Sequence, residues 1–287
     1  MRHETRLKVG PVTFRVGSAW AAPVRALRGL YEDYPAPGAV ADYTVRLEPA
    51  QPWRRWLRPS VAIAGDYVLP DAAPLPLAHG LIAAEMAMNL QMALGERRYL
   101  LLHAASVEKE GRGLILTGES GAGKSTLSAM LGERGWRFMG DEFALLEPET
   151  GLLHPFPRPI SLKNEAIPAM EAELASNRFG PVMEGTPKGR IRHLRPTREA
   201  LDRMDEPARS ALILFPRFGK ARDVRPVGPA EAFMRLTQAS TNYVALGEAG
   251  FMALTGLVQA CPAVALDYPD AATAFELVDL LWSESVR

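Results

Sequence analysis

The stretch that most constrains this chain is Gly118-Glu119-Ser120-Gly121-Ala122-Gly123-Lys124-Ser125-Thr126. It has the spelling G-x-x-x-x-G-K-[ST]. The apolar run Leu114-Ile115-Leu116-Thr117 leads in, and a helical pattern with Leu127, Met130 and Leu131 on one face leads out. Strand, glycine loop and helix form the context in which this spelling reads as a phosphate-binding loop, or Walker A motif. The glycines let successive backbone N–H groups turn inward around phosphate oxygens. The helix that follows adds its positive N-terminal end. Lys124 supplies a point charge for β- and γ-phosphates, and the Ser125 hydroxyl is placed to ligand Mg²⁺. The nucleotide-binding residues expected are therefore Gly118, Ser120, Gly121, Ala122, Gly123, Lys124, Ser125 and Thr126. A bare strand-to-helix turn would not demand Lys-Ser after the last glycine.

Composition bounds the partners. With 287 residues, 47% of them hydrophobic, the chain is long enough for one large domain and a smaller one. Its formal net charge is zero, so no global field favours nucleic acid or an anionic membrane, and neither is expected as a partner. The single cysteine, Cys261, has no internal disulfide partner and reads as a small core residue in a reducing compartment. No apolar segment follows Met1-Arg2-His3-Glu4-Thr5-Arg6, and residues 81–94 are interrupted by Glu85, Asn89 and Gln91. Neither a signal peptide nor a membrane span is expected, and a cytoplasmic location is.

Ahead of the loop, residues 11–17 alternate as a strand, and residues 23–34 read as a helix with Pro23 near its start and Pro35 after its end. Residues 42–47 and 61–69 alternate again. Trp53, Arg54, Arg55, Trp56 and Arg58 cluster between them. On a neutral chain, a loop or edge strand anchored by its Trp side chains accounts for this cluster better than a nucleic-acid surface does. The Pro-rich stretch 70–76 reads as a linker, which predicts a small α+β domain over 1–75 and a catalytic domain over 76–287. Residues 77–93 have helical spacing. Residues 99–107 read as a strand and 108–113 as a hairpin turn, so a β-hairpin delivers the chain to the loop.

Beyond the loop, Gly135 caps the helix and 136–139 form the next strand, with Gly140-Asp141-Glu142 at its end. Strands are expected over 143–146, 160–163, 211–215 and 263–266. Helices are expected over 165–175, 231–239, 247–259 and 271–282. Residues 180–196 read as a loop or irregular hairpin. The last helix carries Leu277, Leu280, Leu281 and Trp282, a pattern that suits a core face or an oligomer interface equally.

Phosphoryl transfer needs positioning, charge neutralisation and sometimes a base. Asp141 lies where the chain returns to the sheet beside the phosphates, and can ligand Mg²⁺ or accept a hydroxyl proton. If the strand ran on through Glu142, the two carboxylates would point to opposite faces. A bend at Gly140 would bring both to one site. His103 sits in Leu100-Leu101-Leu102-His103-Ala104-Ala105 and reads either as a satisfied core histidine or as a site residue. Arg158, Lys163 and Lys188 are cations in Pro/Gly-shaped segments. Lys188 belongs to the densest basic run, Thr186-Pro187-Lys188-Gly189-Arg190-Ile191-Arg192-His193-Leu194-Arg195. That run is either an exposed basic surface or a loop that folds over an anionic group.

Together, His103, the hairpin, the 118–125 loop and Arg134-Gly135-Trp136-Arg137-Phe138-Met139-Gly140-Asp141-Glu142 resemble the catalytic domain of bacterial HPr kinase/phosphorylase. The chain is similar more closely to the HprK-related kinase A group. There Pro157-Arg158-Pro159-Ile160-Ser161-Leu162-Lys163, the segment 186–196 and Asn242-Tyr243 also fit. The resemblance covers about residues 80 to 285. It implies an α/β fold, a P-loop kinase core of the HPr kinase/PEP carboxykinase type with a mixed sheet and flanking helices. It also implies ATP and Mg²⁺ as cofactors and transfer to a serine hydroxyl. Asp141 matches the family's catalytic carboxylate, His103 its motif histidine, and Glu142 stands where the family has a second Asp. Asp141, His103, Lys188 and Arg158 are then the catalytic set, and Ser125, Asp141 and Glu142 the metal set. The group is associated with a small PqqD-like companion protein, and the family commonly forms homo-oligomers. Thr126 stands where the family has an acidic residue, and the family's Glu-containing glycine-rich signature is missing from this sequence.

The activity expected is an ATP- and Mg-dependent kinase acting on a protein or peptide serine. The alternatives are a nucleotide-dependent ATPase or switch that regulates a partner, and a small-molecule kinase.

Overall fold

The computed structural model describes residues 2–186 and 188–285. Met1, Pro187, Val286 and Arg287 lie outside the described residues, and Pro187 is the one that falls in the basic run singled out above. The chain divides into two compact units, Met1–Glu96 with Lys163–Arg195, and Arg97–Leu162 with Pro196–Arg287.

The first unit begins with strands His3–Val9 (β1) and Val12–Ser18 (β2), an antiparallel hairpin turned at Gly10 with φ 52°. Helix Ala21–Leu30 (α1) carries Pro23 in its first turn and buries Val24, Leu27 and Leu30. Strand Tyr43–Pro49 (β3) then lies parallel to β2, the pairing that a helical crossover permits. Strands Ser60–Gly65 (β4) and Leu75–Pro76 (β5) complete a five-stranded sheet in sequence order. Helix Gly80–Gly95 (α2) buries Leu81, Ala83, Ala84, Ala87, Met88 and Met92 and packs on β3, β4 and α1.

This division differs from the boundary expected at residue 75. The Pro-rich stretch is a turn that folds β5 back onto β4, pairing Leu75 with Val61, so α2 stays with the N-terminal sheet. The tryptophan cluster is corrected: Trp53 and Trp56 are exposed, with the Arg55 guanidinium 5.5 Å from the Trp56 ring centre, and are not buried as anchors. Trp20 holds that segment instead, donating its indole N–H to the Arg55 carbonyl at 2.9 Å.

The second unit opens with strands Leu100–Leu102 (β6), Ala104–Lys109 (β7) and Arg112–Thr117 (β8). Between β7 and β8, Glu110 and Gly111 have φ of 55° and 76°, the paired positive values of a two-residue type I′ turn. The phosphate-loop stretch follows, then helix Lys124–Gly132 (α3). Strands Arg137–Gly140 (β9), Ala144–Leu146 (β10) and Leu152–His154 (β11) come next. The boundary between the units falls within strand Ile160–Lys163 (β12). In the first unit again, helix Ala166–Glu171 (α4) precedes the irregular hairpin of Phe179–Thr186 (β13) and Gly189–Leu194 (β14).

The chain ends in the second unit. Helix Arg198–Asp202 (α5) is capped by the Thr197 hydroxyl, which accepts from the Ala200 N–H. Strands Ala208–Phe218 (β15) and Asp223–Val227 (β16) follow, then helices Pro229–Ala239 (α6), Tyr243–Leu246 (α7) and Glu248–Ala260 (α8). Strand Ala263–Tyr268 (β17) and helix Ala271–Ser285 (α9) close the chain.

The sheet of this unit runs β6-β10-β11-β15-β8-β7-β9, with β17 also on β15 and β16 on β17. It is mixed: β15 and β17 run parallel to β8, and the remaining pairs are antiparallel. The fold is therefore mixed α/β, as expected. Leu114, Ile115, Leu116, Leu212, Ile213 and Leu214 are wholly buried, which is why β8 and β15 read as unbroken apolar runs. α9 buries Leu277, Val278 and Trp282, and Trp282 meets Trp136 edge-on at 4.6 Å. Among the described residues, no helix is long and apolar enough to cross a membrane.

Candidate phosphate-binding site

The loop between β8 and α3 is built on three left-handed glycines. Gly118, Gly121 and Gly123 have φ of 151°, 85° and 92°. A Cβ on Gly121 would meet no protein atom within 4 Å, so the loop is open there. Gly123 is tight by contrast: its Cβ would lie 2.8 Å from the Tyr268 hydroxyl and 3.1 Å from the Phe218 Cβ. Lys124 is buried, and its Nζ donates to the carbonyls of Gly118 at 2.7 Å and Glu119 at 2.9 Å. The ammonium is thus folded back along the loop, where it is held by carbonyl dipoles. Ser125 and Thr126 open the helix and are half-buried, and the Ser125 carbonyl accepts from the Ser128 hydroxyl. An open loop of left-handed glycines ending in a buried ammonium suits a polyphosphate.

Beside the loop lie the acidic pair and the histidine. β9 ends at Gly140, and Asp141 and Glu142 follow as a bend, so the two carboxylates are not locked to opposite faces of a strand. Gly140 makes the bend possible: its Cβ would come within 2.9 Å of the Phe143 carbonyl and 3.1 Å of the Phe156 carbonyl. Asp141 is buried; Glu142 is half-buried.

The expected strand 99–107 is broken at His103, which stands between β6 and β7. Its side chain is exposed, so the core-histidine reading is wrong for it. Its backbone is fixed from two sides. The His103 N–H donates to the Ala239 carbonyl at 2.8 Å, and its carbonyl accepts from the Thr117 hydroxyl at 3.3 Å, immediately before the loop. Its Nδ1 lies 4.0 Å from Glu142 Oε1, an ion-pair distance when the imidazole is protonated. The structure thus brings His103, the loop and Asp141-Glu142 to one edge of one sheet.

Two further contacts fix the strands that carry these residues. Asn242 is buried, accepts from the Leu101 N–H at 2.9 Å and donates to the Tyr99 carbonyl at 2.8 Å, pinning the strand that leads to His103. At the other end of β9, Arg137 Nε donates to Glu108 Oε2 at 2.6 Å, and both side chains are 2% exposed. Burial pushes the Glu108 carboxyl up. The Arg137 hydrogen bond, the Gly111 N–H and the Arg137 and Arg203 charges outweigh it and hold the group below the ordinary value.

Arg158 is buried in the second unit, just after Phe156, which bridges to Gly140. Lys188 and Lys163 belong to the first unit. Lys188 is exposed on the β13–β14 turn, where its N–H donates to the Thr186 hydroxyl at 3.2 Å. Cys261 is buried, which pushes its thiol up to about 11 and leaves it uncharged at neutral pH, in keeping with a core role.

Sequence reasoning missed Phe218 and Tyr268, which end β15 and β17 against the loop. The Phe218 N–H donates to the Ala122 carbonyl at 3.2 Å. Burial raises the Tyr268 hydroxyl to about 12. Nothing local in the sequence marks these residues, because their place depends on how β15 and β17 pair with each other and with β8.

Among the described residues, no cluster of three or more His, Cys, Asp or Glu could hold a metal ion alone. Mg²⁺ at phosphates takes one or two carboxylates and completes its shell with phosphate oxygens and water. Ser125 with Asp141 suits that donor set.

No family model matches this chain, and no curated protein matches it. Among solved structures, it is similar to the Hpr(Ser) kinase/phosphatase from Coxiella burnetii. The two are 14% identical, the match covers 65% of this chain and 96% of that one, and the TM-score is 0.30, a distant likeness.

Proposed function

We propose that this chain is a kinase that binds ATP and Mg²⁺ at residues 118–126 and transfers the terminal phosphoryl group to a hydroxyl, a serine of a protein or peptide. The reading rests on the sequence resemblance described above and on one observation. The open glycine loop with buried Lys124 shares a sheet edge with a buried carboxylate, Asp141, and an exposed histidine, His103.

Each residue has a task. Lys124 leaves the carbonyls of Gly118 and Glu119 for the β- and γ-phosphate oxygens, exchanging one set of acceptors for a more negative one. The loop N–H groups and the α3 N-terminus hold the remaining phosphate charge. Ser125 and Asp141 would hold Mg²⁺, with Glu142 beside them. When bound, the ion neutralises charge on the transferring group. Asp141 takes the proton of the acceptor hydroxyl as that oxygen attacks the γ-phosphorus, whose bond to the bridging oxygen breaks so that ADP leaves with the electron pair. His103 orients the acceptor from the Glu142 side. Arg158 is the buried cation assigned to the developing charge. Lys188 belongs to the other unit, and the proposal does not depend on it. A cytoplasmic protein acceptor, such as a small PqqD-like companion, suits this reading.

The test is incubation with γ-labelled ATP and Mg²⁺ together with co-encoded small proteins. Label on an acceptor serine is the expected result. Release of labelled phosphate with no labelled acceptor would favour the ATPase or switch reading.

A further inference from the structure

We infer that Phe218 is the stacking platform for the nucleotide's base. The inference rests on the nucleotide reading above and extends it to the end of the ligand away from the chemistry.

Strand order carries the argument. β7 and β9, which bring His103 and Asp141, lie on one flank of β8. β15 and β17 lie on the other. Both run parallel to β8, so their C-terminal ends reach the same edge as the phosphate loop. Ligands of such sheets sit at that edge, outside the carboxyl ends of the strands. A triphosphate whose terminal phosphate faces the carboxylate flank has its nucleoside on the opposite flank. The residues that end β15 and β17 there are Phe218 and Tyr268, paired in register.

Their geometry suits a flat aromatic ligand. Phe218 is 56% exposed, yet it is not a loose surface side chain. Its N–H is bonded to the Ala122 carbonyl at 3.2 Å, which ties it to the loop itself. Its ring lies 5.9 Å from the Tyr268 ring, tilted by 57°, and Tyr268 is buried. An aromatic ring braced from beneath and open above is what base stacking uses, because every base has a π-face. The neighbouring guanidinium is already committed: Arg217 makes a bidentate pair with Asp267 at 2.7 and 2.5 Å. With that guanidinium engaged, stacking on the ring face predicts little choice between adenine and guanine.

The experiment is calorimetric titration of the full chain with Mg·ATP, Mg·GTP and Mg·tripolyphosphate, the last lacking a base. It compares wild type with Phe218→Ala and Phe218→Tyr. Phe218→Ala is expected to weaken both nucleotides about tenfold while tripolyphosphate affinity stays within about twofold, and Phe218→Tyr is expected to keep nucleotide affinity. If wild type binds both nucleotides and Phe218→Ala binds them equally well, the base subsite is wrong and the nucleotide reading stands. Equal weakening of tripolyphosphate would mean that the substitution disturbs the loop, and would also overturn the subsite. A wild-type protein that binds no ATP would remove the nucleotide reading and the subsite with it.

Discussion

Lys124 concentrates the residue-scale logic of the site. A buried ammonium that donates to two loop carbonyls at 2.7 and 2.9 Å is poised to exchange them for anionic oxygens. Lys124→Ala should therefore abolish nucleotide binding. In thermal unfolding at ATP about a hundredfold above Kd, wild type gains about 2.7 kcal/mol of apparent stability and the variant gains none. Gly123 makes a second case. With φ 92° and the Tyr268 hydroxyl 2.8 Å from its missing Cβ, Gly123→Ala should lose stability twice, once through the left-handed backbone and once through the clash. The backbone part is about 1–2 kcal/mol. Adding Tyr268→Phe removes the oxygen and should recover the hydroxyl's share of the clash, leaving the Phe218 Cβ contact at 3.1 Å, and a double-mutant cycle of unfolding free energies measures that share. The loop was legible in the sequence because its demands are local: left-handed glycines and a Lys-Ser at fixed spacing. His103 was half legible. Its apolar neighbours suggested a core strand, and only the strand break exposes it. Phe218 was not legible, because exposed aromatics carry no signal until strand pairing sets them beside the loop.

At the scale of elements, the hairpin of β7 and β8 and the following β9 form the frame on which the site is hung. Glu108 ties all three: it accepts from Gly111 in the turn and from Arg137 at the start of β9. Glu108→Gln leaves the buried Arg137 without its counter-charge, with the Arg203 carbonyl still accepting from it at 2.6 Å, and should cost about 3 kcal/mol at neutral pH. The pH dependence has a definite sign. The folded carboxyl titrates below its ordinary 4.5, so its stabilisation is complete above that value and is lost as pH falls through the lowered one. The gap between wild type and Glu108→Gln, read from urea unfolding, should therefore shrink below that ordinary value. A gap that grew in acid would contradict the assignment. The Glu110-Gly111 turn and the apolar strand into the loop were readable from sequence. β16 was not, since Asp223-Val224-Arg225-Pro226-Val227 is an exposed edge strand carrying proline, which reads as a loop. α5 and α7 are too short to show a period.

For the molecule as a whole, the sequence suggests a border near residue 75, whereas the chain divides into Met1–Glu96 with Lys163–Arg195 and Arg97–Leu162 with Pro196–Arg287. Proline-rich composition marks a change of direction, and residues 70–76 turn the chain without ending the unit. The return of residues 163–195 to the first unit left no local trace, because long-range grouping is not encoded in any one stretch. The last helix turns one of its faces into the core. Trp282 is buried against Trp136, whereas Leu280 is exposed. Trp282→Ala should cost about 3–5 kcal/mol, while Leu280→Glu should change stability by no more than about 0.5 kcal/mol. Equal losses in the two variants would mean that the helix is used as an interface.

The central claim concerns Asp141, because a loop that binds ATP becomes a kinase only with a group to receive the acceptor's proton. The measurement is labelled phosphoryl transfer from ATP alongside ATP affinity, in wild type and Asp141→Asn, with the same acceptor. The variant is expected to bind ATP within about an order of magnitude of wild type and to lose at least about a hundredfold in transfer. Wild-type transfer that survives unchanged in Asp141→Asn would contradict the account.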